Sequence, residues 1–144
     1  MEQKNYHCSI SADVTPAAAF AGIANVGAWW AKNFEGRAVS VGDTFTVKFG
    51  ETKVDFEITE AIPEKRVVWY VADCYLPWLN NKTEWTDTSV AWDISSNAGV
   101  TQVDMTHIGL FPGVECYEDC KTGWNGHITG SLHNLLTNGS GQPQ

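Results

Sequence analysis

The sequence predicts an α+β fold: a curved antiparallel sheet wrapped around one long C-terminal helix, with two short helices after the first strand. Three observations predict it. Segments with an apolar residue at every second position follow one another through the middle of the chain, separated by turn residues. The run from Val114 to Asn138 instead repeats its apolar residues at spacings of three and four. A sheet with one apolar face must cover that face, and only the last helix is long enough to do so.

The elements follow in order. Tyr6 to Ala12 alternates and reads as the first strand. Thr15 can cap a helix whose first turn holds Pro16, where a missing N–H costs nothing. Ala17 to Ala21 favours helix, and Gly22 and Gly27 keep it short. Ala28-Trp29-Trp30-Ala31 reads as a second short helix or turn. After the Gly42-Asp43 turn, Phe45, Val47 and Phe49 share one parity. Beyond the turn at Gly50, Val54, Phe56 and Ile58 share the next. Pro63 leads a turn into a strand from Val67 to Val71. Cys74 to Asp87 is irregular and reads as a loop. Val90, Trp92 and Ile94 form a strand, Ala98-Gly99 a hairpin turn, and Val103, Met105 and His107 a last strand. On the final helix, Tyr117, Cys120, Trp124, His127, Ile128, Ser131 and Leu135 form a stripe, and Gly139 stops it.

At 144 residues the chain is expected to be one domain, 1–144, with 138–144 as a frayed tail. Nine Lys and Arg against 17 Asp and Glu give a net charge of −8, which argues against phosphate backbones and anionic lipid as partners. No apolar run approaches the ~18–20 residues of a membrane span, and Met1 to Tyr6 does not read as a secretory leader. The expectation is a cytoplasmic protein whose four cysteines, Cys8, Cys74, Cys116 and Cys120, stay reduced. Cys116 and Cys120 share a helix face and are expected to pack as small apolar residues; a vicinal redox pair is the alternative.

Several segments resemble the bacterial heat-shock-protein ATPase activator-like proteins of the SRPBCC, or START-like, superfamily. They are Ser9-Ile10-Ser11-Ala12 with Val14-Thr15-Pro16, Trp29-Trp30, Val41-Gly42-Asp43-Thr44-Phe45, and Ile58 through Trp69. Thr101 to Val103, His107-Ile108-Gly109-Leu110, Glu115-Cys116-Tyr117 and Gly123-Trp124 continue the series to Leu136. The resemblance implies a helix-grip fold. It implies no single activity: such domains bind lipids or hormones, cyclise polyketides, sequester reactive compounds or assist a chaperone.

Seven Trp in so short a chain raise the question of what their apolar area packs against. They either fill a core or line a hollow that takes an apolar ligand. The residues expected to line it are Phe45, Phe56, Trp69, Trp92, Met105, His107, Tyr117, Trp124, Ile128 and Ser131. His107, Tyr117 and Ser131 are the expected polar contacts. His107 is either a ligand contact or a core histidine with its needs met. His127 either joins the lining or sits at the helix edge, and Trp78 and Trp85 either flank the mouth or anchor the surface.

No nucleophile elbow, phosphate-cradling loop or His-Glu-x-x-His helix occurs, so no catalytic residue, metal ligand or cofactor is expected. The expected function is binding of a small apolar, aromatic or lipid-like molecule without catalysis. The alternatives are a pocket enzyme of polyketide cyclase, dehydratase or hydrolase type, and a co-chaperone-like activator of a heat-shock ATPase. The expected state is a monomer or loose homodimer.

Overall fold

All seven strands lie in one antiparallel sheet of order β1-β7-β6-β5-β4-β3-β2 in the computed structural model, which describes residues 4–144. The strands are β1 (Tyr6–Ala12), β2 (Asn33–Gly36), β3 (Thr44–Phe49), β4 (Thr52–Ile62), β5 (Arg66–Tyr75), β6 (Ser89–Asn97) and β7 (Val100–Ile108). From β2 to β7 the chain is a meander. β1 joins the far edge because α1 (Pro16–Ala24) and α2 (Val26–Trp29) carry the chain across the sheet. Thr15 accepts from Ala18 N at 3.1 Å and caps α1, with Pro16 in the first turn as expected. Register shifts in β4 between Asp55 and Phe56 and between Ile58 and Glu60 bend that strand, which adds to the curl of the sheet.

The parity read from the sequence holds. Phe45, Val47, Val54, Phe56, Ile58, Trp69, Trp92, Val103 and Met105 are all buried in one apolar core. The helix that covers them runs as α3 (Tyr117–Asn125), a π-helical stretch (Gly126–Leu132) and α4 (His133–Asn138). In the π-helical stretch backbone bonds shift outward, as from His133 N to the Ile128 carbonyl. The Thr129 hydroxyl also donates there to the Asn125 carbonyl at 2.6 Å.

Two expectations are corrected. The segment 138–144 does not fray. The Ser131 hydroxyl donates to the Trp29 carbonyl at 2.5 Å and accepts from Gln142 N at 2.7 Å. Lys32 N donates to the Gln144 carbonyl, and Gln144 N to the Trp30 carbonyl, so the tail lies along the end of α2. The pairing needed partners 100 residues upstream that no local pattern announces. The second correction is β2, which the sequence pattern does not show. It has one large apolar residue, Phe34, and no alternation to read.

β2 is held close to β3 by a glycine. Gly36 has φ +110°, and a Cβ there would sit 2.2 Å from the Thr44 carbonyl oxygen. Gly42 also has positive φ, +91°, but open space around it. Both Gly→Ala changes strain the backbone, at about 1–3 kcal/mol; only Gly36→Ala also forces two strands apart. Urea denaturation should therefore show Gly36→Ala the more damaging by at least about 1 kcal/mol. Equal losses would mean that the close approach carries no weight.

Candidate functional site

A cavity of about 390 Å³ opens between the β3–β4 hairpin and the C-terminal helix. Each wall comes from a different element. Trp30 follows α2, Phe49 ends β3, Thr52 and Val54 begin β4, and Asp119, Cys120, Gly123 and Trp124 face in from α3. His127 comes from the π-helical stretch, and the loop 76–88 supplies Leu76, Trp78 and Trp85. Trp78 is 50% exposed and stands at the mouth, whereas Trp85 and Trp124 are buried and stack with rings 7° apart. The walls are mainly apolar, with polar groups confined to Thr52, Asp119, His127 and the Trp heteroatoms. Burial pushes the His127 imidazole below its ordinary value and favours the neutral ring.

The loop and α3 hold each other through two carboxylates. Glu84 accepts from Glu115 N at 3.0 Å and Cys116 N at 2.9 Å, satisfying N–H groups at the start of the helix. Glu115 accepts in return from Asn80 N at 2.8 Å and Asn81 N at 3.1 Å. Those backbone donors hold the Glu115 carboxyl below the usual carboxylate range. The irregular loop is thereby fixed over the cavity without secondary structure of its own.

Beneath this wall lies a polar chain whose proton positions follow from chemistry. The Trp124 indole N–H can only donate, and it donates to His107 Nδ1 at 3.1 Å. His107 Nε2 must then carry the ring proton, and it donates to Thr88 Oγ1 at 2.9 Å. Thr88 Oγ1 donates onward to the Trp85 carbonyl at 2.6 Å. His107 is wholly buried, and burial pulls its pKa to about 3. It is a neutral imidazole with both nitrogens committed, and what it does is seat Trp124 and, through Thr88, the segment that carries Trp85.

The ten residues expected at the site divide plainly. Trp124 lines the cavity. Phe45, Phe56, Trp69, Trp92, Met105 and Ile128 are buried in the core beside or beneath it. The indole N–H groups of Trp69 and Trp92 have no hydrogen-bond partner among the described residues and lie among rings instead. His107 and Ser131 spend their polar atoms on Trp124, Thr88, Trp29 and Gln142. Tyr117 is half-buried against the core, with Lys121 Nζ 5.9 Å from its ring centre. The ten also leave out Trp30, Phe49, Thr52, Val54, Leu76, Asp119, Cys120 and Gly123, while His127, Trp78 and Trp85, which the sequence left open, do line the cavity. Trp30 is recoverable from its position at the end of α2. Leu76 and Cys120 are not, because nothing in spacing says which apolar residues border a gap.

Cys116 and Cys120 are joined by a disulfide, against the expectation of two thiols. That expectation rested on an assumed compartment. Geometry permits the bond: the two residues lie one turn apart, with Cα atoms 5.6 Å from each other. Cys8 and Cys74 are free and buried. Among the described residues, no group of three or more His, Cys, Asp or Glu gathers as a metal site would require. Nor is any helix among them long and apolar enough to cross a membrane.

Comparison with known proteins defines the class first. The Aha1 dimer of Colwellia psychrerythraea superposes with a TM-score of 0.78 at 24% identity, over 95% of this chain and 98% of that one. SSP2350 of Staphylococcus saprophyticus gives 0.71 at 15% identity, over 94% and 93%. DynU16, from the dynemicin biosynthetic locus, gives 0.71 at 16% identity over 97% of this chain, which spans 49% of DynU16. The chain has the helix-grip fold of these proteins, so the resemblance to the activator-like proteins is borne out at the level of fold. A family model described as cell division protein 48 (CDC48), domain 2, matches residues 31–73. That stretch holds β2 to β4 and most of β5, within a continuous seven-stranded sheet. No curated protein matches.

The His107 chain has a pH signature. A histidine whose folded pKa is depressed stabilises the fold above its unfolded pKa of 6.5, and the contribution is lost as pH falls from there toward about 3. One such group gives a slope of about 1.4 kcal/mol per pH unit. His107→Gln removes the titration, so its stability should depend less steeply on pH between about 4 and 6 by roughly that amount. Parallel urea-derived profiles for the two proteins would show that His107 is not buried neutral.

Proposed function

We propose that this protein binds a small apolar or aromatic molecule in the cavity between the sheet and the C-terminal helix, without catalysis of its own. One observation carries the reading. A cavity of about 390 Å³ is walled by four indoles, a phenyl ring and two aliphatic side chains, with few polar groups. Its size falls within the ~300–1,000 Å³ of small-molecule sites. Rigid rings give such a site contact area at low entropic cost. Thr52, Asp119 and His127 are the groups placed to orient a ligand. Phe45, Phe56, Trp69, Trp92, Met105, His107 and Ile128 serve it as the packed backing behind Trp30 and Trp124. His107 supports binding over turnover, since a ring with both nitrogens committed is no free base.

A second reading, assistance to a heat-shock ATPase, is favoured by the similarity to the Colwellia Aha1 structure. It would use the outer surface and not the cavity. Stimulation of a purified bacterial heat-shock ATPase by this protein, undiminished when the cavity is filled, would support it over the first.

Gly123 offers a clean way to fill the cavity. It lines the wall, and a Cβ added there meets nothing within 4 Å. Gly123→Leu also raises helix propensity. The neutral fluorophore N-phenyl-1-naphthylamine should bind the native protein and quench its Trp emission. Gly123→Leu should weaken that binding by about ten-fold or more, about 1.4 kcal/mol, with no loss of thermal stability. Unchanged affinity in the folded variant would remove the cavity as the site.

A further inference from the structure

The Cys116–Cys120 disulfide sits in the cavity wall, and its two sulfurs are not equivalent. Cys120 lines the cavity, whereas Cys116 is wholly buried behind it. The Trp85 indole N–H points at the Cys116 sulfur, with 3.3 Å between nitrogen and sulfur. Cys116 also stands at the N-cap of α3. A molecule in the cavity therefore borders Cys120 and not Cys116, whose sulfur is backed by a hydrogen-bond donor.

We propose that this disulfide is a covalent capture site for small apolar or aromatic thiols, with Cys120 as the sulfur that bonds to them; this rests on the cavity being the ligand site proposed above. The step is thiol–disulfide exchange. The incoming thiol loses its proton to solvent and attacks Cys120 Sγ. The new bond joins the ligand sulfur to Cys120, and the Cys120–Cys116 bond breaks. The electron pair leaves on Cys116 Sγ, which accepts the Trp85 N–H bond and then takes a proton. The ligand thiol is oxidised to the disulfide level and Cys116 is reduced to a thiol, so no outside oxidant enters. Cys116 attacking Cys120 Sγ expels the ligand thiol, re-forms the protein disulfide and so reverses the capture; a second thiol attacking the ligand sulfur instead carries the ligand off as a small disulfide and leaves Cys116 and Cys120 as two thiols.

The acidic groups around the pair bear on which thiols enter. Glu118 and Asp119 lie in the first turn of α3, Asp119 on the cavity wall, and Glu84 holds the Cys116 N–H. Their charge works against a thiolate on Cys116, so the direction of exchange follows from which sulfur can be reached. It also works against anionic thiols in the cavity. A neutral aromatic thiol such as benzyl mercaptan is the fitting class, and glutathione, a charged peptide thiol, is not.

The test treats the oxidised, folded protein with benzyl mercaptan or glutathione, quenches with acid, and reads intact mass and modified peptides. Rates are normalised to those of the same thiols with hydroxyethyl disulfide. Benzyl mercaptan should add one thiol mass at Cys120, leave Cys116 free, and leave Cys8 and Cys74 untouched. Its normalised rate should exceed that of glutathione by about ten-fold or more, and Gly123→Leu should slow it by a similar factor. An adduct on Cys116, equal rates for both thiols, or an unslowed Gly123→Leu variant would each overturn the proposal. So would a protein that binds N-phenyl-1-naphthylamine yet gives no adduct, an outcome that leaves the binding site intact. A protein that forms the adduct at Cys120 with this selectivity but binds no fluorophore would instead count against the broader ligand-binding reading alone.

Discussion

An aromatic cluster centred on Trp30 joins the C-terminal helix to the sheet. Its ring lies 4.8 Å from Trp124 of the helix, 5.7 Å from Phe56 and 6.0 Å from Trp69 of the sheet, with Phe49 at 5.7 Å on the hairpin. Each such pair contributes about 0.5–1.5 kcal/mol beyond the area it buries. Trp29, next in the chain, turns inward to Trp69 and Trp92. The two adjacent indoles thus bind α2 to both layers at once. The cavity is what remains on the solvent side of this contact, because flat rigid rings cannot fold over to close the space that a flexible chain would fill.

A buried network then makes that arrangement specific. Apolar stacking alone is tolerant of sliding, since it depends on area more than angle. The Trp124–His107–Thr88 chain removes the tolerance by requiring one rotation of the indole and one tautomer of the imidazole. The exchange between Glu84 and Glu115 does the same for the loop above. Trp85 belongs to both systems: it stacks on Trp124 and is carried by the loop that Glu84 fastens. Positioning of the cavity walls and stability of the fold are therefore coupled through the same residues.

How much of this was legible in the sequence differs from element to element. Strand parity placed Phe45, Phe56, Trp69, Trp92 and Met105 on the concave face, and all five are buried there. The capping pattern at Thr15-Pro16 located α1, and the three-and-four spacing located the last helix. β2 was silent because four residues with one apolar side chain carry no period. The π-helical turn was silent because it shifts the ladder without disturbing the apolar stripe: Ile128, Ser131 and Leu132 remain buried. The candidate site was legible in its chemistry and not in its outline. Aromatic excess pointed to a hollow, yet of the ten residues put forward Trp124 alone borders it.

What the sequence determined by itself is the order of elements and the face each presents, since both follow from interactions within a few residues. Alternation, caps and turns are local, and the surplus of tryptophan is a plain count. The tertiary structure alone decided which of those apolar side chains meet each other and which meet a gap. A cavity is a shortfall in packing volume summed over elements far apart in the chain, here from Trp30 to His127. The same holds for His107, whose protonation is set by Trp124 and Thr88, and for the tail, whose partners lie at Trp29 to Lys32. Sequence periodicity carries the direction of a side chain; only the closed fold carries its neighbours.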